Sequence, residues 1–221
     1  MPTKPTFPNE SPDYRKARQD LLAAEIELRA NVERVAEMRR QLPAGGELKE
    51  DYVFDELVNG KVVKTRLSQL FKGGHDTLLI YSFMYSPSMD GACPMCTAYL
   101  DGLNGQVGQL GQKISTAVVA RHDTDTLASF AKSRNWTGLR LLSSANNSFN
   151  VDYLGEVDGG QVPIMHIFRK EGDTVRHFWS SEMVFADAMK GTDPRHLDMT
   201  WPLWNVLDVT PEGRGAWYPS M

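Results

Sequence analysis

The sequence predicts an α/β protein: a mixed sheet flanked by helices and preceded by a long helical arm. Three observations carry this expectation. Residues 78–84 (LLIYSFM) and 113–120 (KISTAVVA) are apolar runs of strand length, the pattern of strands covered on both faces. A helix-type segment follows each, as parallel strands joined by crossovers require. Residues 161–169 and 174–179, separated by Glu171-Gly172-Asp173, read as a β-hairpin.

The arm comes first. Residues 1–12 are Pro-rich and polar, a loose lead-in. Ser11-Pro12-Asp13 then supplies a capping hydroxyl, a proline at the first helical position and an acid in the first turn. From there to Leu42 the chain holds no Gly or Pro, and Tyr14, Ala17, Leu21, Ala24, Leu28, Val32, Val35, Met38 and Leu42 recur at three- and four-residue steps. Arg39 and Arg40 suit the negative helix end, and 43–46 (PAGG) stops it. Such a helix is about 45 Å long at 1.5 Å per residue. It packs on its own domain or crosses to a second subunit as the arm of a homodimer; both readings stand at this level. The domain boundaries expected are 1–46 for lead-in and helix, 47–207 for the α/β domain and 208–221 for an irregular tail.

Next, 51–56 and 61–65 form a hairpin about Asn59-Gly60, a strong turn signal. Residues 66–71 read as one helical turn stopped by Gly73-Gly74. After the 78–84 strand, a helix runs from Cys93 or Pro94 to about Gly108. The 113–120 strand leads to a helix over 125–134, capped by Asp123 or Thr124. A third strand covers 139–143, and 146–152 is a polar loop or irregular helical turn. Residues 185–190 and 203–207 are short helical candidates. This order, with a crossover unit followed by an antiparallel hairpin, is the layout of a thioredoxin-like domain.

Composition limits function. The 221 residues carry a formal charge of -4 with 41% apolar residues, so a core can form, and nucleic acid or an anionic membrane has no electrostatic pull. The N-terminus lacks a secretory apolar core, and no apolar run approaches the roughly 18 residues of a membrane span. The expectation is a cytoplasmic, soluble protein without cofactor.

Cys93 and Cys96, the only cysteines, stand where strand gives way to helix. In a reducing compartment such a pair is catalytic or metal-binding rather than a structural staple. With Cys93 as cap and Pro94 first in the helix, unpaired N–H groups and the positive dipole end favour a Cys93 thiolate. Cys96, one turn on, is placed to resolve a mixed disulfide. Cys93 is therefore the expected nucleophile and Cys96 the resolving thiol, with Asp90 nearby opposing a very low pKa. The competing readings are a zinc site, which His166 and His177 could complete across their hairpin, and a non-catalytic binding module with unused cysteines. Ser143-Ser144 and Ser180-Ser181 have no partners ordered as a triad. Trp201, Trp204 and Trp217 cover the core or line a pocket near the C-terminus. In a thioredoxin-like arrangement Pro163 leads into the strand beside the dithiol, with Val162–Pro163 cis. Pro94, Met95, Val162 and Pro163 thus make the expected substrate-binding set, the substrate being a protein or small-molecule disulfide.

The stretch 93–105 (CPMCTAYLDGLNG), with 51–55, 67–71, 80–85, Trp136, 141–144, 149–153, the Pro163 strand and 207–214, resembles a bacterial thioredoxin-like family. That family is catalogued as a domain of unknown function, its members described as predicted dithiol-disulfide oxidoreductases. The resemblance implies that activity here. Within the broader thioredoxin class, Pro94 is similar to the proline of glutaredoxin- and oxidase-type members. No tryptophan precedes Cys93, the loop before it is long, and no strand acid stands ready for Cys96. A peroxiredoxin reading fits less well, because Asp90 stands where that class carries a hydroxyl residue.

Overall fold

The computed structural model describes residues 6–188, 190, 195–215 and 217–220. The chain divides into two compact units, 1–43 and 44–221.

The first unit is helix α1 (Pro12–Arg40), capped as expected by the Ser11 hydroxyl, which accepts from the Tyr14 N–H at 3.1 Å. None of its residues is buried. Leu21, Leu28, Met38 and Leu42 of the apolar stripe are all exposed.

The second unit holds a seven-stranded mixed sheet in the order β2-β1-β5-β4-β3-β8-β9. Strands β1 (Val53–Val58) and β2 (Lys61–Arg66) form the expected hairpin, with Asn59 and Gly60 both at positive φ as a tight primed turn demands. A 3₁₀ turn (Leu67–Gln69) leads on to β3 (Thr77–Ser82), helix α2 (Pro94–Leu110) and β4 (Ser115–Ala120), which lies parallel to β3. Helix α3 (Thr124–Ser133), capped by Asp123, returns the chain to β5 (Leu141–Ser143), parallel to β4. After α4 (Phe149–Asp152), β6 (Glu156–Val157) and β7 (Gly160–Gln161) make a separate small hairpin. Strands β8 (Met165–Glu171) and β9 (Thr174–Ser180) close the far edge, with β8 antiparallel to β3. Helix α5 (Pro202–Leu207) comes last.

Two expectations need correction here. The first strand of the closing hairpin, β8, opens at Met165, not at residue 161. Gln161 pairs instead with Glu156, and Pro163, which has no N–H to give a ladder, separates the two pairings. The helix expected over 185–190 is a 3₁₀ turn at Glu182–Phe185, ended by extended backbone at Ala186; residue 189 lies outside the described residues. No helix among the described residues is long and apolar enough to cross a membrane.

Alternation along the central strands builds a core on each face. Leu79, Tyr81 and Phe83 pack on one side with Cys96, Tyr99, Leu100 and Leu103 of α2 and Leu127 of α3. Leu78, Ile80, Val119 and Phe168 pack on the other with Tyr52, Phe54 and Phe149. His166 shares that second face. Its Nδ1 lies 2.7 Å from the Ser180 hydroxyl, its ring touches Phe149 and Tyr153, and the His177 ring is 5.9 Å away. The two histidines therefore stand across the sheet from the cysteines and cannot complete a zinc site with them, because residues an even number apart on a strand share a face.

Burial holds the His166 pKa down to about 3. It stays neutral in the folded chain while the unfolded chain takes up a proton below about pH 6.5. Stability is thus fully present above that value and falls with acidification down to about pH 3. His166 contributes about 1.4 kcal/mol per pH unit inside the window. Burial lowers His177 in the same direction. Urea titrations at pH 4.5, 5.5 and 6.5 should show stability rising with pH, more steeply over the lower interval than over the upper one; a flat profile would contradict the buried neutral imidazole.

Candidate active site

The site grows from the end of β3. Beyond Ser82 the chain stays tied to the sheet by the Phe83 N–H to the Val119 carbonyl (2.8 Å). It then loops back, the Cys93 N–H donating to the Met84 carbonyl (3.1 Å). This return sets Cys93 as the N-cap of α2, with extended backbone and Pro94 at the first helical position, where a missing N–H costs nothing. The Cys93 sulfur accepts from the Cys96 N–H at 3.4 Å. Its carbonyl receives both the N–H and the hydroxyl of Thr97, each at 2.9 Å.

The two sulfurs have unlike surroundings. Cys93 is half-buried, Cys96 fully buried, and both are free thiols. The Cys96 thiol donates a hydrogen bond to Cys93, the largest influence on it. Burial opposes that, while the Cys96 and Met95 N–H groups and the Tyr218 hydroxyl add to it, and together they bring the Cys93 pKa down to about 6. Asp90 is not among these leading influences. Burial pushes the Cys96 thiol well above the usual range, and the hydrogen bond it gives to Cys93 pushes it the same way; the Tyr81 hydroxyl and the Met84 N–H pull only partly against this. The pair is thus polarised, with the half-buried sulfur ready to ionise and the sealed one holding its proton.

The dithiol opens on a cavity of about 240 Å³. Met84, Met95 and Pro163 form one side. The C-terminal stretch, through Leu197, Trp201, Trp204 and Tyr218, forms the other. That stretch is pinned by charge pairs and stacking. Arg214 reaches Asp198 (2.6 Å) and Asp208 (2.8 Å), and Arg195 reaches Asp208 (2.8 Å) and also Asp198. The Arg214 guanidinium lies 4.9 Å over the Trp204 ring, and Trp204 packs edge-on with Trp201 and Trp217.

Of the residues singled out in the sequence, the structure brings Cys93, Cys96, Met95 and Pro163 to this cavity; Pro94 and Val162 are not among its described lining residues. The expectation of a cis Val162–Pro163 bond is wrong: there is no cis peptide among the described residues. Hydrogen bonds on both sides hold the ordinary lower-energy isomer, with Val162 N–H on the Gly155 carbonyl (3.0 Å) and the Pro163 carbonyl taken by His196 Nε2 (2.8 Å). Sequence reasoning missed Tyr81, His196 and Tyr218. Tyr81 had a signal in strand alternation, since it shares a face with Leu79 and Phe83; Tyr218, in an aperiodic tail, had none.

Tyr218 is the testable member of the set. Tyr218→Phe removes one donor from the Cys93 thiolate, so the Cys93 pKa should rise above about 6. Alkylation at pH 6 should slow several-fold, with little change at pH 9. Equal pH profiles for both proteins would show that the hydroxyl does not act on the sulfur.

Three central parallel strands, an antiparallel hairpin at one side and a C-x-x-C opening the helix after the first parallel strand define a thioredoxin-like protein. The chain belongs to the family described as bacterial protein of unknown function (DUF899), whose model matches residues 3–221. No curated protein matches it. Among solved structures, the bacterioferritin comigratory protein of Xanthomonas campestris, studied for alkyl peroxide reduction, is 15% identical. It covers 74% of this chain and 98% of its own, with a TM-score of 0.50. Peroxiredoxin Q of the same organism is 16% identical over 71% and 91% (TM-score 0.47). The mitochondrial 2-Cys peroxiredoxin of Plasmodium falciparum is 12% identical over 62% and 79% (TM-score 0.44). The likeness to the first of these is one of fold.

Proposed function

We propose that the protein is a dithiol-disulfide oxidoreductase in which Cys93 is the nucleophile and Cys96 the resolving thiol. The observation that carries this reading is the polarised pair: a half-buried Cys93 at a helix N-cap, receiving a hydrogen bond from the thiol of a fully buried Cys96. Thiolates attack disulfides, and a thiol with pKa near or below ambient pH is mostly in that form. Attack by Cys93 forms a mixed disulfide and releases one thiolate. Cys96 then loses its proton and attacks Cys93, closing the intramolecular disulfide and releasing the second thiol. The high Cys96 pKa keeps it from competing for the first attack, and its place one helical turn on puts it beside the sulfur it must reach.

Peptide mapping after brief oxidation with diamide tests this directly. The expected product is a Cys93–Cys96 disulfide, formed quantitatively and reversed by dithiothreitol. Two thiols that remain alkylatable after the treatment would refute the reading.

A further inference from the structure

Beside the dithiol, three of the backbone groups that an extended polypeptide could pair with are already taken. The Val162 N–H is held by Gly155, Pro163 has no N–H, and its carbonyl accepts from His196. The Ile164 carbonyl accepts the Ser82 N–H at 2.9 Å. Main-chain pairing is what gives strand-addition complexes their affinity, and these three groups have none left to offer. His196 belongs to the C-terminal stretch fixed by the Arg214–Asp198 and Arg214–Asp208 pairs, so its seat on Pro163 is built into the fold.

What remains is the cavity. A cavity of about 150 Å³ holds a benzene molecule, so about 240 Å³ takes an organic body of roughly ten non-hydrogen atoms. Met84, Met95, Leu197, Trp201 and Trp204 make it apolar. The nearby arginines are matched by Asp198 and Asp208, which leaves no charge excess to select an anion.

We propose that the substrate is a small uncharged molecule with an apolar body and one bond that a thiolate can cleave, a nonpolar disulfide or an organic hydroperoxide, and not a polypeptide disulfide. The inference rests on the dithiol reading above. With a disulfide, a bond forms from the Cys93 sulfur to one substrate sulfur and the S–S bond breaks; the leaving thiolate takes up a proton. With a hydroperoxide, a sulfur–oxygen bond forms, the O–O bond breaks, and the alcohol leaves with a proton. The Cys93 sulfenic acid then condenses with Cys96, releasing water. In both cases the dithiol loses two electrons and the substrate gains them.

The test is single-turnover oxidation of the reduced full-length protein at pH 7, read by quenched alkylation. The four oxidants are diethyl disulfide, cumene hydroperoxide, glutathione disulfide and insulin. Each rate is divided by that of the same reagent with free cysteine at equal thiolate concentration. At least one of the two apolar reagents should exceed both glutathione disulfide and insulin by tenfold or more, and the faster of the two names the bond cleaved. Any smaller margin overturns the inference. A diamide control separates the failures. If diamide closes the Cys93–Cys96 disulfide but the margin is missing, only the substrate class is wrong; if diamide does not close it, the dithiol reading falls as well.

Discussion

Replacing Cys93 with serine should reduce thiol-disulfide exchange by about a thousandfold or more, because a serine hydroxyl is not ionised at neutral pH and no second thiol is placed to replace it. Cys96 is buried and its pKa is pushed up, so it cannot take over the attack. Cys96→Ser should behave differently. The first attack survives, the mixed disulfide has no resolving thiol, and a covalent Cys93 adduct should accumulate at one equivalent per chain, visible by intact mass. Equal activity of the two variants would contradict the assigned roles. Neither substitution changes side-chain volume much, so stability should stay near that of the parent.

The largest stability effect is expected at Phe149. This ring is fully buried and packs against Tyr52, Phe54, Tyr153, His166 and Phe168 within 6.1 Å. It fills the face of the sheet away from the cysteines, so its loss acts on the fold and not on the thiols. Phe149→Ala should cost about 3–5 kcal/mol, as large-to-small changes at buried aromatic positions do. In a unit of this size that is a fall in Tm of roughly 6–20 °C. Phe149→Leu should recover more than half of the loss. An alanine variant within about 1 kcal/mol of the parent in urea titration would show that this aromatic cluster is not a principal element of the core.

Much of this architecture was legible because its causes are local. Asn59-Gly60 announces a hairpin through the backbone it permits. Ser11 and Asp123 announce helix starts through the N–H groups they satisfy, and continuous apolar runs mark the strands covered on both faces. Cys93 and Cys96 were readable for the same reason: proline between them and a strand before them fix the helix start and so the order of the sulfurs.

What the sequence hid depends on distant pairings. Whether residues 161–163 join β8 is decided by the small β6–β7 hairpin, by Gly155 and by His196, none of which has a periodic signature. The closeness of His166 and His177 was legible, but they do not face each other in register: His166 pairs with Ser180 and His177 with Phe168, an offset set by the bulge between Ile167 and Phe168. Tyr218 is 125 residues beyond Cys93 in an irregular segment that the Arg214 charge pairs and the tryptophan stack help bring to the sulfur.

The proposed chemistry requires a Cys93 thiolate that exists at neutral pH and precedes Cys96 in reactivity. Iodoacetamide alkylation of the reduced protein from pH 4.5 to 9, mapped to each cysteine by mass spectrometry, measures both properties at once. Label is expected at Cys93 with a midpoint near pH 6 and none at Cys96 across that range. A Cys93 midpoint near that of a free thiol, about 8.5, or label appearing first at Cys96, would contradict it.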